Sequence, residues 1–239
     1  MPMAFQFKQF SIEQDKCAMK VGTDGVLLGA WATLENNPYS ILDVGSGTGL
    51  IALMLAQRSY AEQIDALEID EDAYEQCVEN FENSSWSDRL FCYHASFQEF
   101  VEEMYEEEKY DLIVSNPPFY TAHYKSENEQ RDLARFEDAL PFDHLLHGSS
   151  LLLSENGVFC VIIPYSEEKN FISIATHFEL FPSKITRVKG TPTSEIKRSL
   201  IAFSKNQTKT YTDELVIETA RHQYTEEYKI LTQDFYLKM

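Results

Sequence analysis

Positive charge is what this chain of 239 residues has least of: 20 Lys and Arg stand against 39 Asp and Glu, a formal net charge of −19. The field of such a molecule repels phosphates and argues against a uniformly basic surface for a polyanionic partner. Cysteine is also sparse. Cys17, Cys77, Cys92 and Cys160 are widely spaced with no Cys-x-x-Cys pair, which excludes a disulfide frame or a zinc knuckle and leaves reduced, buried thiols. No apolar run approaches the roughly 20 residues of a membrane span, so no membrane partner is expected. The first residues lack a charged segment followed by an apolar one, and the expected location is the cytoplasm. His94, His123, His144, His147, His177 and His222 have no metal-ligand spacing, and no metal is expected. There is no internal repeat, low-complexity tract or interdomain linker.

What is present can bury a proper core, since 44% of the residues are hydrophobic. The charge is unevenly distributed. Between Glu62 and Glu108 sixteen acidic residues accompany only Arg89, whereas Lys184 to Thr210 holds Lys184, Arg187, Lys189, Lys197, Arg198, Lys205 and Lys209 against Glu195 alone. The acidic block reads as solvated helix faces. The basic block reads either as a sheet end or as a patch that contacts phosphate.

Apolar strands alternate with helical patterns, which predicts an α/β fold with a mostly parallel sheet. The expected order is a strand at Ser40 to Val44, a helix at Leu50 to Arg58, a strand at Gln63 to Ile69, and a helix at Glu71 to Phe81. A strand at Leu90 to His94, a helix at Phe97 to Met104 and a strand at Tyr110 to Ser115 follow. Beyond a polar stretch come a helix at Phe142 to Leu153, a strand at Gly157 to Pro164 and a helix at Glu167 to His177. Lys184 to Lys189, Ser199 to Ser204 and Leu215 to Glu218 read as strands, the first two without room for a helix between them, and predict an antiparallel C-terminal finish. Phe5 to Phe7 and Phe10 to Ile12 predict a short N-terminal strand pair. Lys20 to Asp24 is expected to form a lid. One domain, 1–239, is expected, with a cap at 1–36, a core at 37–205 and a C-terminal extension at 206–239.

Two motifs carry chemistry. Asp43-Val-Gly-Ser-Gly-Thr-Gly49 stands at the carboxyl end of the first core strand, where open α/β sheets place their ligands, and Gly45, Gly47 and Gly49 permit close approach of a cofactor. Asp43 suits a ligand's ammonium group or the ordering of the turn. Glu68, at the end of the second strand, can accept two ribose hydroxyls, and Asp70 competes for that role. Nicotinamide-dependent enzymes share these features. The second motif, Asn116-Pro117-Pro118-Phe119, separates the readings. A nitrogen conjugated to a π-system is a poor nucleophile, and its hydrogens must be held on acceptors while its lone pair faces an electrophile. The Asn116 side-chain oxygen and the Pro117 carbonyl provide two acceptors, and Phe119 a face for a planar group. Methyl transfer to such a nitrogen is the chemistry this pair of motifs predicts.

The two motifs resemble those of the class I S-adenosylmethionine-dependent amino-methyltransferases. Phe7-Lys-Gln-Phe10, Gln14-Asp15, Met19 to Gly25, Leu28-Gly-Ala-Trp31 and Asp234 to Lys238 extend the resemblance over nearly the whole chain to one family, the bacterial tRNA(Val) adenine-37 N6-methyltransferases. The resemblance implies a Rossmann-like fold, S-adenosylmethionine as donor and a tRNA substrate. It implies donor contacts at Asp43, Gly45, Gly47, Gly49, Glu68, Ile69, Ser96 and Asn116, and adenine contacts at Asn116, Pro117 and Phe119. Where the class often carries an acid after the third strand this chain has Ser96, whose hydroxyl can still accept. Where the family often has Pro-Lys-Arg it has Ile196-Lys197-Arg198. Lys197 and Arg198 then stand as RNA contacts beside Lys189, Arg135 and His123; Arg131, four residues before Arg135, could reach phosphate from the same face. The sequence does not fix the oligomeric state, a monomer being favoured. Protein glutamine N5-methylation, DNA or ribosomal RNA adenine methylation, and a non-catalytic binding role remain as alternatives.

Overall fold

The computed structural model describes residues 4–107, 109–118 and 140–238. An antiparallel pair, β1 (Phe5–Gln6) and β2 (Ser11–Ile12), opens the chain, as expected. Then come α1 (Thr23–Trp31), β3 (Ser40–Val44), α2 (Leu50–Arg58), β4 (Gln63–Glu68), α3 (Glu71–Glu82), β5 (Leu90–His94), α4 (Phe97–Met104) and β6 (Tyr110–Ser115). The second half holds α5 (Phe142–Leu152), β7 (Leu153–Pro164), a 3-10 turn (Tyr165–Glu167), α6 (Glu168–His177), β8 (Phe181–Lys189), β9 (Ile196–Ser204) and β10 (Tyr211–Val216). A small hairpin, β11 (Glu218–Ala220) and β12 (Gln223–Tyr224), precedes α7 (Glu226–Thr232).

One eight-stranded sheet carries the order β10-β8-β9-β7-β6-β3-β4-β5. Strands β5, β4, β3, β6 and β7 are mutually parallel, and β9 pairs antiparallel with both β7 and β8. The antiparallel finish is therefore present, while β10 pairs parallel with β8 and draws residues beyond 205 into the same sheet. Strand β3 is buried along its whole length, as a continuous apolar run in a doubly covered parallel sheet requires. Two apolar clusters lie on the two faces. One gathers Leu27, Leu53, Met54 and Phe81 from α1 to α3, the other Phe100, Leu146, Phe171 and Phe203.

The two chain ends meet. Phe7 bridges to Tyr236, the Lys8 amide donates to the Phe235 carbonyl at 2.8 Å, and the Phe7 ring stacks on Phe10 and meets Phe5 and Tyr236 at a tilt. Cys17, Cys77 and Cys160 are buried free thiols and Cys92 is half-buried. No described helix is long and apolar enough to cross a membrane.

The lid expectation is displaced. Thr23 and Asp24 form the first turn of α1 instead, and Asp24 accepts from Arg198 Nε at 2.8 Å. The segment that reaches over the carboxyl edge is 13–19, just before it. It has no secondary structure there and is held by side chains of α3: Asn80 accepts from the Glu13 amide and donates to the carbonyls of Glu13 and Thr48, and Gln76 accepts from the Lys16 amide.

Candidate functional site

A cavity of about 720 Å³ opens at the carboxyl ends of β3, β4, β5 and β6. Its floor is the turn after β3. The amides of Gly45 and Ser46 donate to the Leu67 carbonyl, at 3.0 and 2.9 Å, so the turn is fastened to the end of β4. Gly45 and Gly47 have φ of +74° and +55°, a region that L side chains rarely adopt. A Cβ on either would meet nothing within 4 Å, so both present bare backbone to the open side of the cavity.

Glu68 secures the same turn from the opposite strand. Its Oε2 accepts from the Gly47 amide at 2.7 Å, and its Oε1 accepts from the amides of Ile69 and Asp70 at 2.9 and 3.0 Å. The carboxylate is thus oriented before any ligand arrives, with one lone pair on Oε2 remaining for a hydroxyl donor and a second hydroxyl accepted only in exchange for one of the amides. Asp70 is occupied otherwise: it is the N-cap of α3 and accepts from the Ala73 amide at 2.9 Å. Both Glu68 and Asp70 line the cavity.

Two of the residues expected to touch a donor do not line the cavity. Asp43 is fully buried behind the turn, where Oδ2 accepts from the Ala52 amide of α2 at 3.1 Å and Oδ1 has no partner among the described residues. Its place matches the ordering of the turn. Gly49, with φ +77°, caps α2, and a Cβ there would stand 2.5 Å from Phe81 Cε1 and 2.8 Å from Cys77 Sγ. Close packing of α2 on α3 is what this glycine permits.

Burial, and secondarily the charge of Glu68, push the Asp43 carboxyl up to about 7, against the lowering by the Ala52 amide. The sign of the pH effect follows. The folded pKa exceeds the unfolded one, so the protonated carboxyl favours the fold below about 4, and that contribution is lost as pH rises from about 4 to about 7. Asp43→Asn is expected to remove this decline, on the order of a few kcal/mol, as read from chemical-denaturation curves between pH 4 and 8. Identical pH profiles for the variant and the wild type would show Asp43 to be ionised in place.

The opposite wall comes from the end of β6. Ser115 donates to the Val44 carbonyl at 2.9 Å and locks β6 to β3 at the point where both strands reach the cavity. Asn116, Pro117 and Pro118 follow directly and line the cavity with Gly45, Gly47, Glu68 and Ile69. Phe119, and with it His123, Arg131 and Arg135, lie outside the described residues.

Ser96 also faces the cavity, with its hydroxyl already engaged. It caps α4 in a reciprocal box, donating to Glu99 Oε2 at 2.7 Å and accepting from the Glu99 amide at 3.2 Å. The hydrogen bonds from Ser96 hold the Glu99 carboxyl below its ordinary range. One lone pair on Ser96 remains for a ligand amine.

Sequence reasoning missed Cys17, Ala18, Met19 and Gln98, all of which line the cavity. The Cys17 thiol is pushed up to about 12, by burial first and then by Glu68 and Asp70, so it stays protonated and is no nucleophile. A signal was available. Ala73, Gln76, Cys77, Asn80 and Phe81 form the buried stripe of α3, and two amides at core positions announce that this stripe binds polypeptide backbone.

The basic block changes meaning in three dimensions. Arg187 pairs with Glu168, Lys189 with Glu214 and Arg198 with Asp24, while Lys184 lies 5.2 Å from the Trp31 ring. Three of the seven basic residues of the apparent phosphate patch are therefore paired with carboxylates within the fold. Lys197 is exposed at the start of β9, and the Arg198–Asp24 pair is about one-third exposed on each side, which leaves it exchangeable. Among the described residues no cluster suited to a metal ion is found.

Residues 25–163 match the family "Methyltransferase small domain". The chain is 68% identical to a tRNA1(Val) (adenine(37)-N6)-methyltransferase of Flavobacterium psychrophilum, over 98% of this chain and 100% of that one. A protein of the same name from Bacteroides fragilis (strain YCH46) is 48% identical over 98% of both chains. Among solved structures, a predicted O-methyltransferase from Agrobacterium tumefaciens superposes with a TM-score of 0.70 at 18% identity, over 89% of this chain and 96% of that one. At that identity the likeness is one of fold.

Proposed function

Because the chain belongs to the tRNA1(Val) (adenine(37)-N6)-methyltransferase family, it uses S-adenosylmethionine to methylate N6 of adenine 37 in a valine tRNA, and we infer that transfer takes place in the cavity at the carboxyl edge of the sheet. The observation that carries this inference is that the bare backbone of Gly45 and Gly47, the Glu68 carboxylate and Asn116-Pro117-Pro118 all line one space.

The residues fit the donor. Gly45 and Gly47 offer a cradle that side chains would fill, Glu68 is pre-oriented for ribose hydroxyls, and Ile69 and Ser96 stand where an adenine ring and its amino group would lie. When bound, S-adenosylmethionine supplies an electrophilic methyl on a cationic sulfur, which an acidic surrounding favours. Asn116 and the Pro117 carbonyl accept the two N6 hydrogens of the substrate and turn the nitrogen lone pair into the cavity. The prolines limit backbone motion, and the Ser115–Val44 bond sets the distance between acceptor strand and glycine turn. No strong base is required, since the N6 proton becomes acidic once the nitrogen bears positive charge. Phe119 is proposed as the stacking face for the adenine.

Lys197 and Arg198 are proposed as phosphate contacts, with Arg198 exchanging Asp24 for a phosphate oxygen; Lys189, paired with Glu214, contributes less. Arg135 and His123 are retained as proposed RNA contacts from the polar stretch. The reading is of a single domain, 1–239, acting as a cytoplasmic monomer. Nucleoside analysis of valine tRNA from cells lacking the gene is expected to show unmodified adenine at position 37, restored by the wild-type gene. Persistence of N6-methyladenine there in the deletion strain would refute the assignment.

A further inference from the structure

The edge that carries Asn116 also carries an aromatic side chain that the methyl-transfer chemistry does not use. Tyr165 follows Pro164 at the end of β7, is 38% exposed, and lies outside the cavity. In the β6–β7 pairing Ser115 stands opposite Val161, which puts Tyr165 one strand away from Asn116 and roughly 10 Å further along the strand direction. That is about one nucleotide's reach from an adenine held at Asn116.

Its ring is held in place from one side. The Arg187 guanidinium lies 5.5 Å from the ring centroid, within cation–π range. Arg187 is itself fixed by Glu168, whose carboxylate accepts from Nε at 3.1 Å and from Nη2 at 2.7 Å and also from the Ser199 hydroxyl at 2.5 Å. Glu168 is only 4% exposed. Burial alone would raise its pKa, but the hydrogen bonds from Arg187 and Ser199 outweigh that and hold it below its ordinary range. A buried carboxylate therefore anchors a guanidinium, and the guanidinium backs an aromatic ring that remains 38% exposed. An ordinary surface tyrosine needs no such support. Pro164, next to Tyr165, pairs with Arg198, so a proposed phosphate contact sits on the adjoining strand.

We propose that Tyr165, backed by Arg187, is the stacking platform for a nucleotide that flanks the target adenine in the anticodon loop. Extrusion of the target base uncovers the face of its neighbour, and a pre-ordered ring at that distance replaces the lost stacking. Affinity for the loop then comes from base stacking as well as from phosphate contacts, which suits a chain of net charge −19. The inference rests on the tRNA reading above.

The test measures methyl transfer to unmodified valine tRNA and donor binding in parallel, for wild type, Tyr165→Ala, Tyr165→Leu and Tyr165→Phe. The two ring-less variants are expected to raise KM for tRNA roughly tenfold, with kcat and donor Kd within about twofold of wild type. Tyr165→Phe keeps the ring and rescues most of the loss. With 2-aminopurine on either side of the target, quenching on binding is expected at one of the two positions and is expected to disappear in Tyr165→Ala. An unchanged KM in both ring-less variants, with wild-type transfer intact, overturns the platform alone. Absence of wild-type transfer overturns the tRNA reading as well.

Discussion

Asn116→Ala is expected to lower turnover by roughly 10²-fold or more while donor affinity stays within about threefold of wild type. Asn116 stands at the end of β6, one residue beyond the Ser115 hydroxyl that ties that strand to Val44, and its acceptor is therefore fixed relative to the glycine turn. An acceptor that helps turn the N6 lone pair toward the electrophile acts most in the transition state. Its removal then appears in kcat more than in KM. Asn116→Asp is the sharper companion, because it keeps an acceptor and replaces the amide with a charge. Isothermal titration with donor and single-turnover methyl transfer separate the two roles. Donor affinity falling in parallel with activity would assign Asn116 to donor binding instead.

The opposite partition is expected at Glu68. Glu68→Gln should weaken donor binding by about 10- to 100-fold, because the charge-assisted hydrogen bond to the ribose is replaced by a neutral contact or lost. The same substitution loosens the turn, since a Gln amide has one oxygen where the carboxylate uses Oε2 for Gly47 and Oε1 for Ile69 and Asp70. At saturating donor, kcat is expected to recover to within a few-fold of wild type. A variant that binds donor normally would shift the ribose contact to Asp70, which in the structure is committed to capping α3.

The order of strands and helices was legible because parallel strands buried on both faces read as continuous apolar runs, as β3 and β6 do. Boundaries were less so. β7 starts at Leu153 instead of Gly157, since Leu153 already pairs with Tyr110 across an irregular register. β8 starts at Phe181 despite Pro182, where the pairing with β9 shifts. The glycine turn, Glu68 and the Asn-Pro-Pro wall were readable because each is contiguous in sequence and chemically unusual. The 13–19 segment was not, because it has no periodicity and is held by Gln76 and Asn80, more than 55 residues away along the chain. Charge counting failed on the basic block for a similar reason. Asp24 and Arg198 are separated by 174 positions and meet only in the fold. Asp43 and Gly49 belong to the motif, yet both are buried, Asp43 behind the turn and Gly49 against Phe81 and Cys77, a placement that the motif's spacing alone does not announce.

The most direct measurement is transfer of labelled methyl from S-adenosylmethionine to unmodified valine tRNA, beside the same tRNA with guanine in place of adenine 37. Label is predicted in the first RNA, as N6-methyladenosine, and none in the second. Equal label in both, or none in either while donor binding is intact, would contradict the assignment of adenine 37 to this cavity.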